Sequence, residues 1–328
     1  MKKLLIIPYE LEAPGVQRGP HTFCDSHLKE LQAVAGGAME ITVALPQDAE
    51  QFLAQAHAIA GFPSTMPDVA KAPNAEWLHS FSAGVDRVLT PAVATSDILV
   101  SNSSGVHRTP IAEHIIGFML MFTRGFSESF KNQEKHLWQK AKSLDEICDK
   151  VVLIVGLGEI GTEAARLSAA FHARVWAVSR SPKEKPDFVE KIGTHTDLEA
   201  MLPEADFVVI TLPHTDATHH LFNASLFSKM KLSAVVINIG RGGIINEPDL
   251  INALQAGTIQ GAGLDVTETE PLPASSPLWD MPNVIITPHH SGLSDKYMDR
   301  AVEVLCRNIK AFIEGGKLPT QVDKELGY

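Results

Sequence analysis

Three polar residues with complementary chemistry follow three short apolar runs in the last third of this 328-residue chain: Arg241, Glu270 and His289. Arg241 stands in Asn238-Ile239-Gly240-Arg241-Gly242-Gly243, after the run 234–239. Glu270 stands in Leu264-Asp265-Val266-Thr267-Glu268-Thr269-Glu270-Pro271, after the run 259–266. His289 stands in Thr287-Pro288-His289-His290-Ser291-Gly292, after the run 284–287. In an open parallel sheet, ligands bind beyond the carboxyl ends of the strands, and each of these residues sits at such an end. A guanidinium can grip a carboxylate and draw charge onto a carbonyl oxygen. An imidazole backed by a carboxylate can give and take a proton. The set is the minimum for moving a proton alongside a hydride.

A site for the hydride carrier is written upstream. The β-branched run 151–155 ends in Gly156-Leu157-Gly158-Glu159-Ile160-Gly161, and 162–171 carries small and apolar residues at helical spacing. Strand, G-x-G-x-x-G turn and helix start follow in the order a dinucleotide site needs. Gly156 permits the tight turn, Gly158 leaves a pyrophosphate room to approach the backbone, and Gly161 lets the helix pack close. The helix start, at Glu159 and Ile160, offers free N–H groups and partial positive charge. The next strand ends in Ser179-Arg180-Ser181. An NAD site normally places Asp or Glu there to bind the ribose 2′-hydroxyl. Ser179 leaves no carboxylate to repel a 2′-phosphate, and Arg180 and Lys183 are close by, although Glu184 is also near. The reading favours NADP(H), with NAD(H) as the alternative.

These sites need elements to carry them. Runs 3–7, 41–45, 58–62, 77–81 and 98–101 read as buried parallel strands, with 27–35, 49–56 and 67–72 as connectors. The turn Ser82-Ala83-Gly84-Val85-Asp86 directly follows a strand. Its backbone N–H groups suit a carboxylate, and on the residues alone it reads equally as a plain strand-to-helix turn. Residues 102–105 form a loop and a candidate domain crossing. Thr109-Pro110 reads as N-cap and first residue of a helix with Ile111, Ile115, Phe118, Met119 and Phe122 on its apolar face. Glu113 and His114 read as a satisfied structural pair within it, and Trp138 as packing. Strands 151–155, 174–178, 207–212, 234–239, 259–266 and 284–287 then give a six-stranded doubly wound arrangement. A closing helix, 299–313, has Val302, Leu305, Ile309 and Phe312 on one face and Gly315-Gly316 beyond its end. It is expected to dock on the first domain. Adjacent His219 and His220, read as helical, should point apart, so they are taken as solvated or packing residues and no metal site is expected.

Bulk properties narrow the classes. Hydrophobic residues make up 45% and charged residues 20%, an ordinary globular composition. A net charge of −11 disfavours nucleic acid and anionic membrane, so an anionic substrate needs a locally positive site. Cys24, Cys148 and Cys306 lie far apart without a C-x-x-C, which points to a reducing, cytoplasmic setting. The opening Met1-Lys2-Lys3-Leu4-Leu5-Ile6-Ile7 imitates a signal peptide but stops at Pro8-Tyr9-Glu10, so it reads as a first strand. No apolar run is long enough to span a membrane.

With the central glycine fingerprint, the Arg241, Glu270 and His289 motifs make the chain resemble the D-isomer-specific 2-hydroxyacid dehydrogenases. Pro277-Leu278-Trp279, Pro282-Asn283-Val284 and the terminal Gly327-Tyr328 extend the likeness over nearly the whole chain. The resemblance implies an α/β fold: a Rossmann dinucleotide-binding domain (102–292) inserted into a flavodoxin-like substrate domain (1–101 plus 293–328). It implies a homodimer formed through the cofactor domain. Arg241 would bind the substrate carboxylate and polarise the keto oxygen, His289 would be the acid–base, and Glu270 would orient its imidazole. The turn of Ser82, Ala83, Gly84 and Val85 matches the family's carboxylate-binding loop. The cofactor set is completed by Leu212, Pro213, Thr218, Ile239, Gly240, Asp265 and Ser291. Tyr9, Leu11, Phe62, Trp279 and Tyr297 are expected around the substrate side chain. The activity implied is reduction of a small anionic 2-keto acid of the glyoxylate or hydroxypyruvate kind to the D-2-hydroxy acid. Phosphoglycerate-type oxidation and a dinucleotide-sensing, corepressor-like binding protein are the competing readings.

Overall fold

The computed structural model describes residues 1–85, 87–141, 144–180 and 184–325. Asp86, Ser181, Lys183, Gly327 and Tyr328, all invoked above, lie outside the described residues. The chain divides into two compact units, Met1–His107 with Leu293–Tyr328, and Arg108–Gly292. Residues 102–107 fall in the first unit, where the Asn102 carbonyl accepts from Thr320 Oγ1 at 2.5 Å and Ser103 N–H donates to the Ser82 carbonyl.

The first unit opens with β1 (Lys2–Ile7), whose Leu4-Leu5-Ile6-Ile7 run is buried on both faces. Short strands β2 (Glu10–Leu11) and β3 (Thr22–Phe23) pair with each other, an element too short to show in the sequence pattern. There follow α1 (Asp25–Ala35), β4 (Met39–Val43), α2 (Glu50–Leu53), β5 (Ala58–Gly61), β6 (Trp77–Ser80), α3 (Pro91–Ala94) and β7 (Leu99–Asn102). The main sheet runs β4-β1-β5-β6-β7, every pair parallel, which is the flavodoxin-like order. Alternate side chains of β1 enter different cores: Leu4 and Ile6 one, Leu5 and Ile7 the other.

The second unit starts with α4 (Arg108–Thr123), so Thr109 lies inside the helix rather than capping it. Pro110 is tolerated there because first-turn N–H groups have no intrahelical partner. Next come α5 (Phe126–Glu134), β8 (Val151–Val155), α6 (Glu159–Ala170), β9 (Arg174–Ser179), β10 (Lys191–Thr194), α7 (Leu198–Met201) and β11 (Phe207–Ile210). Then follow α8 (Ala224–Phe227), β12 (Val235–Asn238), α9 (Glu247–Gln255), β13 (Gly261–Leu264) and β14 (Val284–Ile286). The sheet has seven strands rather than six, in the order β10-β9-β8-β11-β12-β13-β14. The unexpected β10, Lys191-Ile192-Gly193-Thr194, is an edge strand with no buried residue, so it needed no apolar run. Every pairing is parallel, and the order reverses between β8 and β11, the switch point of a Rossmann sheet. Val152 and Ile154 pack under α4 and α6, while Val151, Leu153 and Val155 enter the opposite core.

The chain then returns to the first unit as α10 (Tyr297–Ile313), which begins earlier than the expected 299. Its buried stripe, including Val302, Leu305, Ile309 and Phe312, joins the core of Leu4, Ile6 and Trp77. The expected packing of Trp138 and the expected divergence of His219 and His220 both fail. Trp138 is 105% exposed, because 135–141 forms no element that could fold over it. His219 and His220 stack at 3.8 Å instead of diverging, because 216–220 is a turn, with His220 at φ 49°, and not a helix.

Candidate active site

At the switch point, the three fingerprint glycines stand in different surroundings. Gly156 has φ 114°, and a Cβ on Gly161 would meet the Gly156 carbonyl oxygen at 2.0 Å. A Cβ on Gly158 would meet nothing within 4 Å, so packing within the protein does not demand a glycine there. That open space, at the N-cap of α6 and beside Glu159 and Ile160, suits a pyrophosphate. The neighbouring strand ends support the same surface. Leu212 and Pro213 follow β11, and Thr218 Oγ1 donates to the Pro213 carbonyl at 2.7 Å, closing that loop. Ile239 is buried at the end of β12, with Gly240 beside the Leu212 carbonyl. Ser179 ends β9, buried, with Arg180 exposed after it. The residues fit a dinucleotide.

The three chemical side chains follow adjacent strands, since Asn238, Leu264 and Ile286 are register partners across β12, β13 and β14. Arg241 is exposed, with its Nη1 donating to the Gly240 carbonyl at 2.8 Å. Its backbone is drawn against the β13 loop, where a Cβ on Gly242 would meet the Thr267 oxygen at 1.9 Å. Glu270 Oε1 accepts from Thr267 N–H at 3.2 Å, and Glu270 Oε2 contacts His289 Nδ1 at 2.8 Å. The structure thus brings Glu270 and His289 together and puts Arg241 at the neighbouring strand end. The imidazole is half-exposed.

His289 sits at φ 50°, a left-handed conformation that costs a non-glycine residue energy. Asp265 holds it there. Its carboxylate accepts from Thr287 Oγ1 at 2.6 Å, Ser291 Oγ at 2.5 Å, and the His290 and Ser291 N–H groups. Its backbone carbonyl accepts from His289 N–H at 2.8 Å. Burial pushes the Asp265 carboxyl up, but the hydrogen bonds from Ser291, Thr287 and His290 outweigh it and leave it below the usual range. His114 does not pair with Glu113. Its Nε2 meets Thr287 Oγ1 at 3.0 Å, and burial, opposed by Asp265, holds its pKa below the ordinary imidazole value. His114, Asp265 and His290 bring ligand atoms within 4.8 Å of one another. The Asp265 oxygens are already filled by donors, so the trio reads as a post for the 287–291 loop and not as an ion cage. Thr287 was missed in the sequence. The flanking Thr and Ser of the Thr287-Pro288-His289-His290-Ser291 motif were the available signal.

In the first unit, the turn of Ser82, Ala83, Gly84 and Val85 leaves the end of β6. The Ser82 carbonyl accepts from Ser103 N–H, and the Ala83 carbonyl from Asn102 Nδ2 at 2.8 Å. Among the described residues, nothing accepts from the N–H groups of Ala83, Gly84 and Val85. Successive free N–H groups form an anion-binding concavity. Tyr9, Phe62 and Tyr297 gather in the same unit, with Tyr9 stacked on Phe62 at 4.1 Å and Tyr297 Oη donating to the Phe81 carbonyl at 2.5 Å. Leu11 is exposed there, and Trp279, in the second unit, donates Nε1–H to the Pro273 carbonyl.

A Rossmann sheet with an imidazole–carboxylate pair at its strand ends defines a dinucleotide-dependent oxidoreductase. Comparison with known proteins makes the class specific. Residues 116–291 match the model of the D-isomer specific 2-hydroxyacid dehydrogenase NAD binding domain. A glyoxylate/hydroxypyruvate reductase B of Escherichia fergusonii is 33% identical over 276 residues, 82% of this chain and 85% of that protein. A crystal structure of a D-isomer specific 2-hydroxyacid dehydrogenase family protein from Aeromonas salmonicida is 34% identical. It covers 98% of this chain and 99% of its own, with a TM-score of 0.83. An NADPH-dependent glyoxylate/hydroxypyruvate reductase from Sinorhizobium meliloti, solved with NADP and sulfate, is 31% identical over the full length of both chains, with a TM-score of 0.77. The chain belongs to the D-isomer-specific 2-hydroxyacid dehydrogenase family of NAD(P)-dependent oxidoreductases. Among the described residues, no helix is long and apolar enough to cross a membrane.

Proposed function

We propose that the protein reduces a small 2-keto acid of the glyoxylate or hydroxypyruvate class to the D-2-hydroxy acid, with NADPH as the preferred reductant. The observation that carries the reading is the 2.8 Å contact of Glu270 with His289 at a strand end of the nucleotide sheet. A bound reduced nicotinamide supplies the hydride. Arg241 grips the substrate carboxylate and draws charge onto the keto oxygen, a double task that suits a planar fork. Within the first unit, the unpartnered N–H groups of Ala83, Gly84 and Val85 are of the kind that binds a carboxylate. His289 gives its proton to the oxygen as the alcohol forms, and takes it back in the reverse direction. Glu270 accepts from Nδ1–H and orients the ring.

The reductase names of the relatives support the substrate class. Ser179, where an NAD site would place a carboxylate, supports NADP(H), as does the NADP bound by the Sinorhizobium protein. A homodimer, in a cytoplasmic setting, completes the reading. Its support is the exposed apolar residues of the cofactor unit: α5 buries no residue, and Phe126, Phe130, Leu137, Trp138 and Leu144 are all exposed. The test is a panel of keto acids assayed with NADPH and with NADH, followed by the loss of nicotinamide absorbance. Glyoxylate or hydroxypyruvate with NADPH should give the highest kcat/KM. No turnover of any 2-keto acid with either cofactor would overturn the proposal.

A further inference from the structure

One buried titratable group in the first unit has no part in the chemistry above. His79, on β6, is fully buried. Trp77 and His79 share one face of β6, and Ser101 and Ser103 the facing side of β7 and its extension, with His79 the register partner of Ser101. Trp77 Nε1 donates to Ser101 Oγ at 2.8 Å, and Ser101 Oγ lies 2.8 Å from His79 Nδ1. His79 Nε2 lies 3.3 Å from Ser103 Oγ, which donates to the Ser80 carbonyl at 3.0 Å.

The donor inventory sets the direction of every bond. A carbonyl only accepts, so the single Ser103 hydroxyl proton goes to Ser80, and Nε2–H of His79 must donate to Ser103. Burial keeps the ring neutral by holding its pKa down at about 3, so Nδ1 is bare and accepts the Ser101 proton. Ser101 in turn accepts from the indole, which can only donate. The chain therefore runs one way, from Trp77 through Ser101, His79 and Ser103 to Ser80. It ends on Ser80, the last residue of β6, from which the turn with the unpartnered N–H groups leaves. Ser80 Oγ accepts from Ser82 N–H at 3.1 Å, and Ser103 N–H donates to the Ser82 carbonyl at 3.2 Å. Both polar groups of the Ser82 backbone are thus tied to residues that the His79 chain orients. The turn's unpartnered donors are then held in place, with less ordering to be done when an anion binds.

We infer that His79 is a positioning residue for the carboxylate-binding turn, acting through Ser103 and Ser80 and requiring its Nε2–H tautomer. The inference rests on the proposed role of that turn. Gln can reproduce the polarity, an acceptor oxygen followed by a donor nitrogen, whereas Leu cannot.

The test combines kinetics with a reading of the proton. In the wild-type protein at neutral pH, long-range ¹H–¹⁵N correlation should find the His79 proton on Nε2. Finding it on Nδ1 overturns the inference, whatever the enzyme reduces. In His79→Leu and in Ser103→Ala, the KM for the keto acid should rise about tenfold, one lost hydrogen bond, with kcat and the NADPH KM unchanged. His79→Gln should restore the wild-type KM. If His79→Leu does not fold, Ser103→Ala carries the same kinetic test. An unchanged keto-acid KM, a fall in kcat with both KM values raised alike, or a Gln variant no better than Leu overturns the positioning role while leaving the reductase reading intact. A wild-type protein that turns over no keto acid overturns both.

Discussion

Two strand-end turns, one in each unit, are built on opposite plans. After β6, the turn of Ser82 to Val85 leaves backbone N–H groups without an acceptor among the described residues, and the histidine of β6 is buried, neutral and hydrogen-bonded on both nitrogens. After β14, the turn of Thr287 to Ser291 exposes its histidine and buries the carboxylate that shapes it. In both, a buried polar group pins the backbone. The difference lies in whether the histidine can change its charge. His289 has a carboxylate partner and solvent access, so it can carry a proton. His79 has neither, so it can only orient.

The largest test of that contrast is removal of the proton carrier. His289→Ala should lower kcat by about 10²–10⁴-fold while leaving NADPH binding nearly unchanged. Steady-state rates with a fluorescence titration of the cofactor check it. Converting Ser179→Asp leaves both turns alone and should move the NADPH-to-NADH ratio of kcat/KM by about 10- to 100-fold towards NADH, the scale of one or two hydrogen bonds to a charged group. An unmoved ratio would remove Ser179 from cofactor choice.

Asp265→Asn attacks the post under the second turn. It should cost about 1–3 kcal/mol in denaturant unfolding, the range for a buried hydrogen-bonded group. The Asp265 carboxyl titrates below its unfolded value of 3.8, so its stabilising effect is present above that pH and is lost as acid protonates it. The variant's acid limb should accordingly be flatter.

The smallest effect at neutral pH belongs to His79→Gln. The unfolded chain takes up a proton below about 6.5, while the folded ring stays neutral down to about 3. Between those values the unfolded state holds the extra proton, so wild-type stability rises with pH across the window. Melting temperatures should show that slope in the wild type and a weaker one in the variant.

Much of this was legible in the sequence because the informative residues are local. Val151 to Gly161 is one strand, one turn and one helix start, and its glycine spacing states its geometry. Arg241, Glu270 and His289 were legible because each follows an apolar strand within a few residues. The residues that brace them were not, because their partners lie far off in sequence. His114 finds Thr287 rather than Glu113. His79 meets Ser101 and Ser103 only once β6 and β7 pair. The run 77–81 read only as a buried strand, and a strand pattern cannot name partners on another strand. The edge strand β10 and the stacked His219 and His220 were misjudged because neither has an apolar pattern to betray its backbone.

The central claim is that His289, paired with Glu270, delivers the proton that accompanies the hydride. Single-turnover oxidation of saturating NADPH by glyoxylate or hydroxypyruvate, in the wild type and in His289→Ala, tests it most directly. The account predicts rapid oxidation in the wild type and a rate lower by about two to four orders of magnitude in the variant. Equal rates in the two proteins would contradict it.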